Sequence, residues 1–200
     1  MNLNEFDSLT DLFFHQAKKQ NSKGIFLEWL NTANRKRFTW SETAANIYKL
    51  AKVLKGCVKK EDRILLLSEN RPEWLIADLS IMLANAITVP AYTTYTEKDY
   101  RYLIEDCEPS VVIVSNNTMH KKLEKTINEK NFIKKIITFD VIPGISYGSK
   151  YLDFDSITKT NLSKEDKIKN VNLKRTSPAC IIYTSGTGGN PKGVILSHGG

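Results

Sequence analysis

Short apolar runs and longer segments with helical spacing take turns along the middle of the chain. Arg63 to Ser68 reads as a strand, Pro72 to Ala84 as a helix with proline in its first turn, and Ile87 to Tyr92 as the next strand. Thr96 then caps a helix whose inner face is Tyr100, Leu103, Ile104 and Cys107. Val111 to Val114 is a β-branched strand, Thr118 to Lys130 a polar helix anchored by Leu123 and Ile127, and Lys135 to Phe139 another strand. Strands alternating with helices imply parallel βαβ units. The runs are continuously apolar rather than alternating, as expected of strands covered on both faces. The predicted class is α/β, with a doubly wound, mostly parallel sheet.

The flanks follow other patterns. Residues 1–60 hold N-terminal helices and a hairpin. A helix opens at Ser8, with Asp11 three residues on, and runs through Gln20. Strands are expected at Gly24 to Leu30 and Arg37 to Trp40. Thr39 and Glu42 form a capping box before a helix with Ala44, Ile47, Ala51 and Leu54 on one face, ending near Gly56. Residues 61–140 are the βαβ units. Residues 141–177, with Pro143-Gly144, Gly148 and a polar tract, are expected to be a loop-rich surface connection. Residues 178–200 read as strand, loop, strand, with strands at Ala179 to Tyr183 and Val194 to Ser197.

That last loop carries the chemistry. Thr184, Ser185, Gly186, Thr187, Gly188 and Gly189 are all Thr, Ser or Gly, and the run closes on Asn190-Pro191-Lys192-Gly193. Glycine amides can approach an anion closely, and successive amides in a turn form an anion-binding concavity. Thr184, Ser185 and Thr187 add hydroxyl donors, and Lys192 adds a compact positive charge. Together these are the groups a polyphosphate needs. A flexible Gly/Ser linker has similar composition, but a linker does not normally sit between two β-like runs and end in a stiff Pro-Lys-Gly. The Walker pattern fails at Pro191 and Gly193, and the dinucleotide fingerprint fails at Pro191. Both of those loops enter a helix, whereas this one enters a strand. Ser185 is not a nucleophile elbow, because Tyr183 and Thr187 stand where that motif needs glycine.

Tyr183-Thr184-Ser185-Gly186-Thr187-Gly188-Gly189-Asn190-Pro191-Lys192-Gly193-Val194 resembles the signature loop of the adenylate-forming (AMP-binding) superfamily. Ser68-Glu69-Asn70-Arg71-Pro72-Glu73-Trp74 and Ala86-Ile87-Thr88-Val89-Pro90-Ala91-Tyr92-Thr93-Thr94 are similar to the long-chain acyl-CoA synthetase branch. The family usually has Thr or Ser where this chain has Gly188, so one hydroxyl donor is replaced by a backbone amide. The resemblance implies the large N-terminal domain of an enzyme that uses ATP, Mg²⁺ and coenzyme A to activate a fatty acid, through acyl-AMP, to acyl-CoA. It implies that Thr184, Ser185, Gly186, Thr187, Gly188, Gly189 and Lys192 hold the nucleotide phosphates. Lys192 would stabilise departing pyrophosphate, and Thr184 would reach a phosphate oxygen or magnesium. It also implies that the magnesium carboxylate, the ribose aspartate, the hinge and the main catalytic lysine of a small C-terminal domain lie beyond Gly200. The chain is therefore expected to be an N-terminal fragment, inert alone. Two alternatives stay open: an acyl-AMP ligase or adenylation domain delivering to a carrier protein, and a non-catalytic nucleotide-binding module.

Charge and thiols add little to this picture. The formal net charge is +7, from 29 Lys and Arg against 22 Asp and Glu. The lysine pairs are scattered and lack interleaved aromatics, which argues against nucleic acid as a partner. Weak attraction to anionic lipid headgroups fits better and would suit an apolar substrate. The N-terminus lacks the apolar core of a signal peptide, and Leu75 to Ala91 is too short and too interrupted to span a bilayer. Cys57, Cys107 and Cys180 are far apart, with no C-x-x-C, which fits reduced thiols. A cytoplasmic protein, peripheral at the inner membrane surface at most, is expected. The isolated His15, His120 and His198 give no metal-ligand spacing, so any metal should arrive with the nucleotide.

Overall fold

The computed structural model describes residues 2–30, 35–163, 165–167, 172–184 and 190–200. Helix α1 (Leu9–Lys19) begins where the Ser8 side chain accepts a hydrogen bond from the Asp11 amide. An antiparallel hairpin follows, β1 (Ile25–Trp29) with β2 (Lys36–Thr39). The Thr39/Glu42 capping box then starts α2 (Trp40–Lys55).

The alternating region becomes β3 (Arg63–Leu67), α3 (Pro72–Leu83), β4 (Ile87–Ala91), α4 (Glu97–Cys107), β5 (Val111–Val114), α5 (Asn117–Glu129) and β6 (Lys135–Thr138). Its sheet is completed by β7 (Tyr151–Asp153), β8 (Pro178–Thr184) and β9 (Lys192–Ser197), in the order β7-β6-β5-β3-β4-β8-β9. Every neighbouring pair is parallel except β8 with β9, which is antiparallel.

Side-chain alternation along β3 shows the double winding directly. Ile64 and Leu66 pack with Ile47, Leu50 and Ile76 of α2 and α3. Leu65 and Leu67 pack with Tyr100, Leu103 and Leu123 of α4 and α5. All four β3 side chains are fully buried, so neither face could carry a polar residue without loss.

Several elements depart from the sequence reading, β9 among them, which starts at Lys192 rather than Val194. Residues 141–177 are not wholly loop: β7 extends the sheet beside β6, and Asp153 caps the short α6 (Phe154–Thr158). Helix α5 starts at Asn117 rather than Thr118, because the Asn116 side chain takes the Met119 amide as its cap. No helix among the described residues is long and apolar enough to cross a membrane. At the far edge, β9 leaves Val194, Ile195 and Leu196 exposed, Ile195 at 63 %.

A buried charge cluster fixes the start of α3. Arg71 is its N-cap residue and donates to both Glu73 carboxylate oxygens, at 2.9 and 3.2 Å, and to Asp140 after β6 at 2.9 Å. Its guanidinium lies 4.9 Å from the Trp29 ring centre and 5.5 Å from that of Phe139. The Glu73 side chain has no solvent exposure and also takes a hydrogen bond from Lys36. Burial pushes the Glu73 carboxyl up, but the hydrogen bonds from Arg71 and Lys36 and the charge of Arg71 outweigh it and hold the group below its ordinary 4.5. The cluster therefore stabilises the fold above pH 4.5 and loses that contribution as pH falls through the lower folded value.

Removing Arg71 leaves a buried carboxylate with one lysine as partner. Arg71→Leu should cost about 3 kcal/mol at pH 7, read by urea unfolding of the chain. The deficit should shrink as pH falls below 4.5 and through the lowered folded value of Glu73. A variant with unchanged stability at pH 7 would show that the cluster does not anchor α3.

Candidate functional site

With both faces of β3 covered, ligand access falls to the carboxyl ends of the parallel strands. The order of the strands says where. After β4 the chain crosses back toward β5 on one side, whereas after β8 it turns outward to β9 on the other. A crevice opens where neighbouring strands send their connections in opposite directions. Here β4 and β8 are registered only at Thr88 opposite Cys180. Further along, Pro90 has no amide to give to a neighbour.

A cleft of about 420 Å³ lies at that point, lined by Ser68, Glu69, Trp74, Pro90, Tyr92 and Ile182, among others. This is within the size range of small-molecule sites, roughly 300–1,000 Å³. Its wall is held from behind. Tyr100 donates its hydroxyl to the Tyr92 carbonyl at 2.6 Å, and Lys122 donates to the Thr93 carbonyl. Asn116 donates to Glu69 at 3.0 Å. Burial pushes the Glu69 carboxyl up, but side-chain hydrogen bonds, Asn116 among them, and the Arg71 charge hold it below the usual carboxylate range. The lip of the cleft thus carries a fixed negative charge.

Beside the cleft is the mouth of the β8–β9 hairpin. Thr184 ends β8, Lys192 begins β9, and the two are register partners. Directly opposed residues of an antiparallel pair have Cα atoms about 4.5–5.5 Å apart. Both residues are exposed. The hydroxyl and the ammonium therefore stand on either side of one opening, where a phosphate or phosphate-bound cation could meet them. The other five predicted phosphate contacts, Ser185, Gly186, Thr187, Gly188 and Gly189, lie outside the described residues. Among the described residues no group of three His, Cys, Asp or Glu could hold a metal ion.

The glycine of Pro-Lys-Gly has a packing reason. Gly193 is the register partner of Tyr183, and a Cβ there would fall 2.8 Å from Ile181 Cγ2 and 3.3 Å from the Tyr183 ring. Ile181 is β-branched and cannot swing aside freely. The Tyr183 phenol donates to the Asp106 carboxylate of α4, and the Tyr102 hydroxyl donates to the Pro191 carbonyl at 3.0 Å. His198 is buried at the end of β9, where its Nδ1 lies 3.5 Å from the Leu9 amide, and burial lowers its pKa.

Comparison with known proteins gives the family of the chain. The family model for the AMP-binding enzyme matches residues 13–200. The chain belongs to that family. It is 31 % identical over 147 residues to fatty acyl-CoA synthetase A of Dictyostelium discoideum, covering 70 % of this chain and 21 % of that protein. It is 32 % identical over 147 residues to the long-chain-fatty-acid–CoA ligase FadD15 of Mycobacterium tuberculosis, covering 70 % and 23 %. The chain thus spans under a third of these curated relatives. The anthranilate CoA ligase AuaEII, solved in complex with anthranoyl-AMP, superposes with a TM-score of 0.79 at 20 % identity, over 100 % of this chain and 37 % of that one. At that identity the likeness supports the fold.

For this member of the family, the sequence pattern located the hairpin mouth but missed the cleft walls. Trp74 packs against the core and also faces the cleft. Glu69 and Tyr92 stand in stretches that marked a family resemblance but were given no role. The available signal was positional, since each follows the carboxyl end of a parallel strand.

Gly193→Ala should destabilise the hairpin by about 1–3 kcal/mol through overpacking. The measurement is amide exchange across β8 and β9, which should accelerate there and not in β3 or β5. Unchanged exchange would mean that the hairpin yields to the extra methyl without loss.

Proposed function

We propose that the protein to which this chain contributes its N-terminal part activates a long-chain fatty acid with ATP and passes the acyl group to coenzyme A. The observation that carries this reading is the pairing of Thr184 with Lys192 at the mouth of a Thr/Ser/Gly loop, beside a cleft at the carboxyl ends of β3, β4 and β8. The named relatives that act on fatty acids support the substrate class.

In the first step a carboxylate oxygen attacks the α-phosphorus of ATP, forming an acyl–phosphate anhydride and releasing pyrophosphate. In the second, the thiol of coenzyme A attacks the acyl carbonyl and AMP departs. A carboxylate is a weak nucleophile, so the gain must come from alignment and from stabilising the departing charge. Lys192 supplies an ammonium at the loop mouth for the β- or γ-phosphate, where charge accumulates as the bond to the α-phosphorus breaks. Thr184 supplies a hydroxyl to a phosphate oxygen, or an oxygen to the magnesium that accompanies ATP. Magnesium would neutralise part of the polyphosphate charge. The half-apolar cleft, with Trp74, Pro90 and Ile182 in its wall, offers apolar surface beside the reacting groups. The surplus of positive charge would favour transient contact with an anionic membrane, from which an apolar acid can be taken.

The full-length protein should catalyse fatty-acid-dependent exchange of labelled pyrophosphate into ATP, and its acyl product should depend on coenzyme A. Exchange with no acyl product formed on coenzyme A would indicate a carrier-protein acceptor, and ATP binding without exchange would indicate a non-catalytic module. Lys192→Ala should lower turnover by about ten- to hundredfold, as expected for a charge-assisted hydrogen bond of roughly 1.5–3 kcal/mol made in the transition state. Unchanged kinetics would place Lys192 in solvent.

A further inference from the structure

We propose that Tyr102 and Asp106 of α4 are positioning residues that clamp the two strands of the phosphate loop and so set the geometry of Thr184 and Lys192. The proposal rests on the phosphate-binding reading of that loop. Tyr102 and Asp106 are four residues apart and share one face of α4. Each grips a different side of the hairpin. Asp106 accepts the hydroxyl of Tyr183, the residue immediately before Thr184. Tyr102 donates to the carbonyl of Pro191, the residue immediately before Lys192.

Strand geometry turns those contacts into control of the loop. Successive side chains of a strand point to opposite faces. Tyr183 and Ile181 pack with the α4 layer and Ile182 does not, while Ile182 and Tyr183 both border the cleft. Thr184 therefore projects from the face opposite Tyr183, and holding the phenol from below fixes the hydroxyl above. On the other strand, the Pro191 carbonyl and the Lys192 amide belong to one planar peptide unit. A hydrogen bond to that oxygen sets the plane of the peptide, and with it the direction of the Lys192 N–H and the start of its side chain. Tyr183 is only 5 % exposed; burial, reinforced by Asp106, pushes its phenol well above the usual range, so it remains a donor at any physiological pH. Gly193 completes the clamp, because a side chain there would push the Tyr183 ring off its place. The same helix holds the cleft wall through Tyr100 and the Tyr92 carbonyl. One rigid element thus spaces the cleft from the loop, the kind of supporting contact that keeps a site within its working geometry.

The test uses the full-length protein with Tyr102→Phe, Asp106→Ala and Asp106→Asn. Amide exchange of the segment 182–194 is measured with and without MgATP, together with pyrophosphate-exchange kinetics. Losing the neutral Tyr102 bond, worth about 0.5–1.5 kcal/mol, corresponds to roughly a two- to twelvefold change, and losing the charge-assisted bond to Asp106, worth about 1.5–3 kcal/mol, to roughly a ten- to hundredfold one. Without nucleotide, Tyr102→Phe and Asp106→Ala should raise exchange of the segment by about those respective factors. They should lower kcat/KM for MgATP similarly, with the KM for the fatty acid and the melting temperature unchanged. Asp106→Asn keeps an acceptor for Tyr183 and should restore part of both. If exchange and ATP kinetics match the wild type in all three variants, or if every parameter falls together with the melting temperature, the clamp is refuted while the phosphate-loop reading stands. If the wild type shows no MgATP-dependent protection anywhere in the segment, the phosphate-loop reading fails and the proposal fails with it.

Discussion

Burial of the central sheet on both faces is the constraint from which the other features follow. Ile64 and Leu66 are sealed by α2 and α3, and Leu65 and Leu67 by α4 and α5. A sheet so covered has no polar face to offer, so recognition moves to the ends of its strands. The order of the strands then selects one end-on location, between β4 and β8, where the chain leaves in opposite directions. The cleft and the hairpin mouth both lie there. Neither helix propensity nor surface charge needs to be invoked to place them.

The edges of the site are held by polar contacts as well as by apolar packing. Arg71 ties the turn after β3 to β1 through Trp29, to α3 through Glu73 and to the segment after β6 through Asp140. That turn carries Ser68, Glu69 and Trp74 into the cleft. A buried ion pair is seldom a net gain in stability over an apolar replacement, but breaking one is costly. Its effect here is geometric, since the guanidinium fixes where a strand-to-helix turn points. The α4 contacts act in the same way on the opposite wall and on the hairpin. A loop rich in glycine loses about 1–2 kcal/mol per residue on ordering, so a frame that fixes both of its ends removes part of that cost before a ligand arrives.

The sequence revealed these levels unequally. Strands β3 and β5 were legible because each carries a continuous run of four apolar residues bounded by polar turns, and β6 because the β-branched Ile136-Ile137-Thr138 follows a polar helix. Strand β7 was not, because Tyr151-Leu152-Asp153 is three residues long and its last member doubles as the cap of α6. Thr184 and Lys192 were legible because the chemistry of their loop is contiguous. The cleft was hidden because Glu69, Pro90 and Ile182 come from three separate strand ends, and periodicity does not give strand order. Tyr102 was hidden for a related reason: its partner is a backbone carbonyl 89 residues away, and a carbonyl leaves no mark in a sequence.

The central claim is that the hairpin mouth receives the phosphates of ATP. The most direct measurement is a crystal structure of the full-length protein with magnesium and a non-hydrolysable ATP analogue. The β- or γ-phosphate oxygens should lie within hydrogen-bond reach of Thr184 Oγ1 and Lys192 Nζ, with the rest of the nucleotide extending toward the cleft between β4 and β8. Phosphates bound elsewhere, with Lys192 pointing into solvent, would contradict it.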